Sequence, residues 1–308
     1  MFLNYLIKRL ISAVFVLVGI TTLVFLLIHL VPGDPVEVML GETARPADRE
    51  ALRHALGLDL PILQQWWQYL SGISHFDLGQ SLHSKQAVTA LLIDRIPATA
   101  ILSIASLFIA IVIALPLGIL AAVYKDSLWD RLAMVTAMFG VSIPNFVMGP
   151  LLILIFALWL GWFPVSGKEG WLSLILPALT LGTALAGILS RMVRASMLEV
   201  LEEDYIRAAR ARGLSEYRIL VLHALRNAAL PIITILGMQL GALLAGAVIT
   251  ETIFSWPGIG QLMIESIQKR DYPVVQACVL LISVTYVLVN LLTDVAYTAL
   301  DPRVKLDE

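Results

Sequence analysis

The feature that most constrains the fold of this chain is a set of six long stretches without Asp, Glu, Lys or Arg. Together they contain 156 of the 308 residues. A helix needs about 20 apolar residues to cross a bilayer, so each stretch is long enough to span it once. Only 14% of all residues are charged, against roughly 25% in soluble proteins. The chain is therefore predicted to be an all-α polytopic membrane protein, which excludes soluble enzymes and nucleic-acid binders. The six stretches are residues 10–33, 96–124, 132–167, 170–190, 227–250 and 272–293.

Each stretch predicts one transmembrane helix. The third is too long for one straight span and too short for two, and it contains Pro144 and Pro150, so one kinked helix is expected there. The predicted spans are 10–31, 98–124, 132–162, 172–193, 229–251 and 275–297. The segments outside them are 1–9, 32–97, 125–131, 163–171, 194–228, 252–274 and 298–308.

Basic residues indicate the orientation of these spans. Segments on the same side as the N-terminus carry 13 Lys and Arg residues when Arg191 at the end of the fourth span is included, whereas the two short loops on the other side carry three. Basic residues accumulate on the cytoplasmic side, so both termini and the segment 194–228 are predicted to be cytoplasmic. The loop 32–97 then faces outward with Trp66 and Trp67 at the membrane interface. It is either a docking surface for an external partner or a lid over the helix ends.

Residue patterns for catalysis, metal binding and nucleotide binding are missing from the sequence. Cys278 is the single cysteine, the five histidines lack metal-ligand spacing, and no P-loop is present. We therefore predict no enzyme activity, no catalytic or metal-binding residue and no cofactor in this chain. An ion-coupled secondary transporter is the competing class. Such carriers usually keep buried acids near the bilayer midplane, and their absence from the apolar stretches counts against this class.

The fifth span carries small residues at four-residue spacing, at Gly237, Gly241 and Ala245. This pattern lets another helix approach closely. The neighbouring helix belongs either to the same chain or to another subunit, and the spacing alone leaves both alternatives open.

The cytoplasmic segment 194–228 contains most of the remaining chemistry. Its acids precede its arginines, which favours a helix because each charge then opposes the helix dipole, and Glu203 and Arg207 are spaced as an i,i+4 pair. Small side chains on the same helix predict either a site where another protein comes close or a solvated charged helix. These small residues are Ala208, Ala209 and Ala211.

A tight turn is expected after this helix. Gly213 fits the left-handed residue that commonly follows a helix end. Ser215 is expected to cap a second helix that runs to about Asn227, before Pro231 opens the fifth span.

Two motifs in this segment, DYIRAARARG at 204–213 and HALRNAALP at 223–231, closely resemble the EAA loop of ABC-importer permeases. The resemblance is strongest to the peptide/nickel branch, the dipeptide and oligopeptide permeases, and it covers the whole chain. Arg207 stands where the general EAA pattern has Glu, which is typical of this branch. Further matching motifs are PGDP at 32–35, LGLD at 56–59, DLGQS at 77–81, RASML at 194–198, FSWPGIG at 254–260, RDYP at 270–273 and DPR at 301–303.

This resemblance implies an inner-membrane pore subunit with the six-helix type I importer fold and a permease domain at about 95–300. Its partners would be a second, similar permease (a heterodimer), two ABC ATPase subunits, a periplasmic binding protein and membrane lipid, without nucleic acid. The substrate would be di- or oligopeptides, with glutathione and nickel chelates as alternatives. The residues implied in coupling to the ATPase are Asp204, Tyr205, Arg207, Ala208, Ala209, Arg210 and Gly213.

Overall fold

A computed structural model describes residues 2–30, 36, 40, 45–55 and 57–300. These residues form helices joined by turns, and the described part of the chain contains an isolated bridge between Gln80 and Ala87 but no strand. The PGDP and DPR motifs lie outside the described residues, as does most of the predicted tail 298–308.

The long helices follow the charge-free stretches, but most extend beyond the predicted spans. The helix of the sixth stretch begins at Tyr272, directly after the buried Asp271. Within the described residues, five helices are long and apolar enough to cross a membrane, or six if a bent helix pair counts as one span. The five are α1 (Phe2–Leu30), α4 (Val88–Val123), α7 (Ile175–Leu201), α9 (Glu216–Ile253) and α11 (Tyr272–Leu300).

The third stretch forms two helices instead of the single kinked helix expected over 132–162. Helix α5 (Leu128–Ser142) and helix α6 (Asn145–Leu152) meet at an angle of 103°, and α6 continues as a π-helix over Ile153–Trp159. Pro144 causes the break because a proline disfavours helical backbone at the residue before it, and Ile143 is indeed extended. Pro144 therefore separates two helices where only a kink was predicted, whereas Pro150 lies inside α6.

Shorter helices occupy the connecting segments. The long first loop contains α2 (Pro46–Ala55) and α3 (Ile62–Ser74). Another short helix, α10 (Ile259–Gln268), precedes α11. Helix α8 (Asp204–Ala211) lies in the predicted cytoplasmic segment. These helices lie outside the predicted spans, and α8 contains most of the DYIRAARARG motif.

One compact unit comprises residues 1–99 and 257–287. Its apolar core joins the start of α4 to α10 and α11 through residues such as Val88, Ile259 and Cys278. The buried Asp271 accepts hydrogen bonds from the Ser81 hydroxyl and, at 3.0 Å, from the Leu82 amide. Two separate motifs, DLGQS and RDYP, are thereby brought into contact.

In the same unit, α3 packs on the last turns of α1. The Trp66 indole donates a 3.0 Å hydrogen bond to the Thr22 hydroxyl, and the Tyr69 ring stacks on Phe25 with 5.8 Å between ring centroids. Burial raises the pKa of Tyr69 to about 12. Helix α3 carries no charged residue and exposes Leu63 and Trp67 beside Gln64 and Gln68, so its outer face is uncharged and part apolar.

The other unit comprises residues 100–256 and 288–308, with α7 as its most buried helix. Glycines let the neighbouring backbones approach α7 closely. A Cβ at Gly140 of α5 would overlap the Thr183 carbonyl of α7, and a Cβ at Gly187 of α7 would overlap the Ala137 carbonyl of α5. Helices α5 and α7 therefore touch backbone to backbone at two levels.

Candidate functional site

Helix α8 begins and ends with recognisable signals. Glu203 precedes it with extended backbone, Asp204 supplies an acid in the first turn, and Arg210 a base in the last. Both charges favour the helix dipole. At the other end, the Gly213 amide donates to the Arg210 carbonyl at 2.9 Å and the Leu214 amide to the Ala209 carbonyl at 3.3 Å. Together these bonds form a Schellman motif.

Gly213 has a φ of +76°, so the predicted left-handed turn is confirmed. No atom lies within 4 Å of the position that a Cβ would take at this glycine. The requirement for glycine is therefore conformational and not steric.

One face of α8 is buried in the chain itself. Ile206 is completely buried and Ala209 is 8% exposed, and both join the apolar core that includes Ile219 and Met197. Ala209 therefore packs on the chain's own core, and its part in coupling to the ATPase stays a prediction. Its small side chain fits against the chain's own core because it lies three residues after Ile206 on the same helix face.

The opposite face of α8 is exposed and carries most of the other predicted coupling residues. The Asp204 and Arg207 side chains are 94% and 70% exposed, and their charged groups pair at 3.1 Å. Arg207 was expected to pair with Glu203, but Glu203 precedes the helix with extended backbone, and the Arg207 guanidinium pairs with Asp204 instead. Arg207 also donates to the Glu202 carbonyl at 3.1 Å. The other predicted coupling residues that are exposed are Tyr205, Ala208, Arg210 and Gly213.

Two side-chain contacts join α8 to the start of α9. The Arg210 guanidinium donates to the Glu216 carboxylate at 2.9 and 3.4 Å. The Asn227 amide donates to the Tyr205 hydroxyl at 2.7 Å and to the His223 carbonyl at 2.9 Å. Sequence reasoning missed Glu216 and Asn227 as parts of this site. Asn227 lies in the HALRNAALP motif and Glu216 between the two motifs, but the spacing could not show that a tight turn brings both residues back to α8.

Helix α9 differs from the expected pair of helices. Ser215 does precede its first residue, although the Ser215 side chain makes no capping hydrogen bond. The helix then passes through a π-helical stretch, Ile219–Ala224, and continues without interruption to Ile253. Pro231 lies inside it and does not open a separate span. The turn at Gly213 is thus connected directly to a long membrane helix.

The small residues of the fifth span lie in different surroundings. Gly237 is buried, and a Cβ there would overlap the Thr293 side chain of α11, so this glycine packs within the chain. Gly241 is also buried, whereas Ala245 is exposed.

Among the described residues, no group of three or more His, Cys, Asp or Glu side chains could hold a metal ion.

Comparison with known families and structures agrees with this geometry. Residues 114–306 match the family described as "Binding-protein-dependent transport system inner membrane component", and residues 2–103 match its N-terminal counterpart, "Binding-prot-dependent transport system membrane comp, N-term". The first family alone covers more than half of the chain.

Curated relatives match along almost the whole chain. The glutathione transport system permease protein GsiC of Pectobacterium atrosepticum is 44% identical over 98% of this chain and 99% of its own length. The protein of the same name from Escherichia coli is 43% identical with the same coverage.

Solved structures share the fold at low sequence identity. An inward-facing MetNI methionine ABC transporter aligns with a TM-score of 0.59 at 20% identity, over 68% of this chain and 96% of that chain. An amino acid ABC transporter aligns with a TM-score of 0.54 at 15% identity, over 68% and 94%. The predicted all-α importer fold is confirmed. The chain belongs to the family of binding-protein-dependent transport system inner membrane components, as a multi-pass permease subunit of an ABC importer of the peptide/nickel branch and not an enzyme.

Proposed function

We propose that this chain forms half of the pore of an ATP-driven peptide importer and that the exposed face of α8 docks on an ABC ATPase. The other half of the pore would come from a second, similar permease. Two ATPase subunits would supply the energy, and an external binding protein would deliver the substrate. The observation that carries the proposal is the arrangement of α8, which is buried on one face and offers small and charged side chains on the other.

The exposed face of α8 is suited to close contact with a protein. Ala208 leaves the helix backbone accessible, while Asp204, Arg207 and Arg210 supply charges around it. Arginine is well suited to interfaces because its planar group forms several hydrogen bonds at once. A partner with an acidic or carbonyl-lined groove would fit this face.

The anchors of α8 give a route for movement into the membrane. Ile206 fixes the helix to the core, and the Arg210–Glu216 and Tyr205–Asn227 contacts join it to α9. Helix α9 continues directly into the apolar region. A displacement of α8 by the ATPase would therefore be passed to a membrane-spanning helix.

We further propose that the substrate is a short peptide, and glutathione is the first candidate to test. The relatives named above are glutathione transport permeases, and their 43–44% identity extends over the whole chain. Other di- or oligopeptides and nickel chelates are the alternatives. In the proposed orientation, both termini and α8 face the cytoplasm, and the loop with α2 and α3 faces outward.

The docking proposal is tested by co-purification. The chain is co-expressed with its permease partner and the ATPases encoded beside it, and the ATPase retained per permease is measured. An Ala208→Glu variant places an unpaired charge on the proposed contact and should lose the ATPase. The matched control is Ala90→Glu, which adds the same charge at an exposed position in the first turn of α4, before the predicted span 98–124.

Two results would contradict the proposed function. Normal ATPase retention by Ala208→Glu would show that this face does not dock. Uptake by the purified chain alone, without any partner, would favour a secondary transporter. Competition of labelled glutathione uptake by unlabelled dipeptides, oligopeptides or nickel chelates then identifies the substrate class.

A further inference from the structure

A partly buried ion pair joins α5 to α7. The Arg194 guanidinium of α7 donates to both oxygens of the Asp130 carboxylate of α5, with Nε–Oδ1 and Nη2–Oδ2 distances of 2.7 and 2.6 Å. The Asp130 side chain is 6% exposed and that of Arg194 is 27% exposed. Two parallel charge-assisted hydrogen bonds fix the orientation of both groups as well as their distance.

The same carboxylate also holds the turn before α5. The Asp126 amide donates to Asp130 Oδ2 at 3.0 Å, and the Asp130 amide donates to the Ser127 hydroxyl at 3.3 Å. Asp126 has a φ of +63°, a left-handed conformation that side-chain-bearing residues seldom adopt. Asp130 therefore binds the turn and α7 at the same time.

Further contacts make α5 and α7 one unit along their length. Their backbones touch at Gly140 and at Gly187, as described above. At the end of α7, the Lys125 ammonium pairs with the Glu202 carboxylate at 3.1 Å. Glu202 is the residue that ends α7, and α8 begins at Asp204.

A contribution to folding stability does not by itself explain this ion pair. Removing two charges from water is costly, and apolar replacements of buried ion pairs are often equally stable or more stable. A bidentate pair differs from an apolar contact in the geometry that it imposes. We propose that Asp130 and Arg194 are positioning residues that make α5 follow α7 when the ATPase displaces α8. This inference rests on the proposed function and adds α7 and α5 to the path of movement through α9.

The experiment measures whether α5 and α7 move together. Spin labels are attached at Leu128→Cys on α5 and Ala195→Cys on α7, both exposed, in a Cys278→Ala background. The assembled transporter in liposomes is examined without nucleotide and trapped with ATP and vanadate. In the parent protein, the distance between the two labels should show one narrow distribution, which is the same in both states because the helices move together. Arg194→Gln should broaden it or add a second distance in the trapped state.

A conservative variant and an activity measurement separate positioning from folding. Arg194→Lys keeps the charge but loses the fork-shaped contact, so it should give an intermediate distance distribution. The charge-swapped double variant Asp130→Arg/Arg194→Asp should recover part of the narrow distribution. Stimulation of ATP hydrolysis by the glutathione-loaded binding protein should fall about tenfold in Arg194→Gln, within the roughly 5–150-fold range of coupling between two sites. The control Lys125→Ala, at the exposed pair, should change stimulation less than Arg194→Gln does.

Two results would overturn the inference. The first is a parent distance that itself changes on trapping, since α5 would then not follow α7. The second is an unchanged distance distribution in both Arg194→Gln and Arg194→Lys, with losses of activity that match losses of membrane level. Co-purification of the ATPase with the parent protein is recorded in parallel. Its absence would refute the proposed function, while the distances report on the ion pair.

Discussion

Helices α1 and α7 are similar in apolar composition but differ in what surrounds them. In the apolar window of α1, 11% of residues are buried within the chain, whereas in that of α7 the share is 61%. Gly19 of α1 has no atom within 4 Å of its Cβ position, but Gly187 of α7 lies against the α5 backbone. Hydropathy therefore identifies a span, while small residues acquire a packing role only where another helix is present.

The largest effect is expected for enlarging the buried glycine. Gly187→Leu would force a side chain into the Ala137 carbonyl and should cost about 3 kcal/mol, the upper end for overpacking, because a backbone group cannot move aside easily. The measurement is membrane level together with thermal unfolding in detergent. The matched change Gly19→Leu should stay within about 0.5 kcal/mol of the parent. Equal losses of stability in both variants would show that the glycines of α1 and α7 do not differ in their packing role.

A second prediction applies the same contrast within α8. Ala209→Asp should lower the free energy of unfolding by roughly 2 kcal/mol, because the carboxylate enters the apolar core beside Ile206. Ala208→Asp, one residue away and exposed, should leave stability near that of the parent and reduce ATPase binding instead. Thermal unfolding and ATPase retention are measured for both. The interpretation fails if the two variants are equally destabilised.

The third prediction concerns the turn at Gly213. Gly213→Val should cost about 1–2 kcal/mol, because a β-branched residue is strained in the left-handed conformation although no neighbour clashes with it. Gly213→Asn should cost less, since asparagine tolerates this conformation. Transport normalised to membrane level should fall more for valine than for asparagine. The reverse order would mean that the side chain and not the backbone matters here.

The smallest effect is expected at the exposed ion pair of α8. Arg207→Ala should change the free energy of unfolding by no more than about 0.5 kcal/mol, because the pair with Asp204 is screened by water. If Arg207 contacts the ATPase, its loss should nevertheless weaken ATPase binding. A large stability loss in this variant would show that Arg207 supports the fold instead.

Local signals were sufficient for several features of the site. The acid-to-base order of 204–210 and the glycine at 213 predicted a short helix and a left-handed turn, and both are present. These features depend on neighbouring residues only, so the chain encodes them without reference to its fold. The motif resemblance likewise identified the importer family, which the comparisons confirm.

Contacts between segments far apart in the chain could not be predicted from the sequence. Nothing in the spacing shows that Arg194 pairs with Asp130, 64 residues away. Nor does it show that Asp271 accepts a hydrogen bond from Ser81, 190 residues away. Nor could composition show that Ala209 faces inward while Ala208 faces outward, since both are alanines on one charged helix.

The sequence by itself determined that this chain spans a membrane and which family it belongs to, whereas the break at Pro144 and the unbroken course of α9 past Pro231 are seen only in the structure. Long runs without charge can satisfy their backbone hydrogen bonds in a bilayer only as helices, whatever their neighbours are. The tertiary structure decided which glycines are contacts, which face of α8 is free, and which charges meet. These outcomes depend on the relative placement of helices, which is set by packing between residues far apart in the chain.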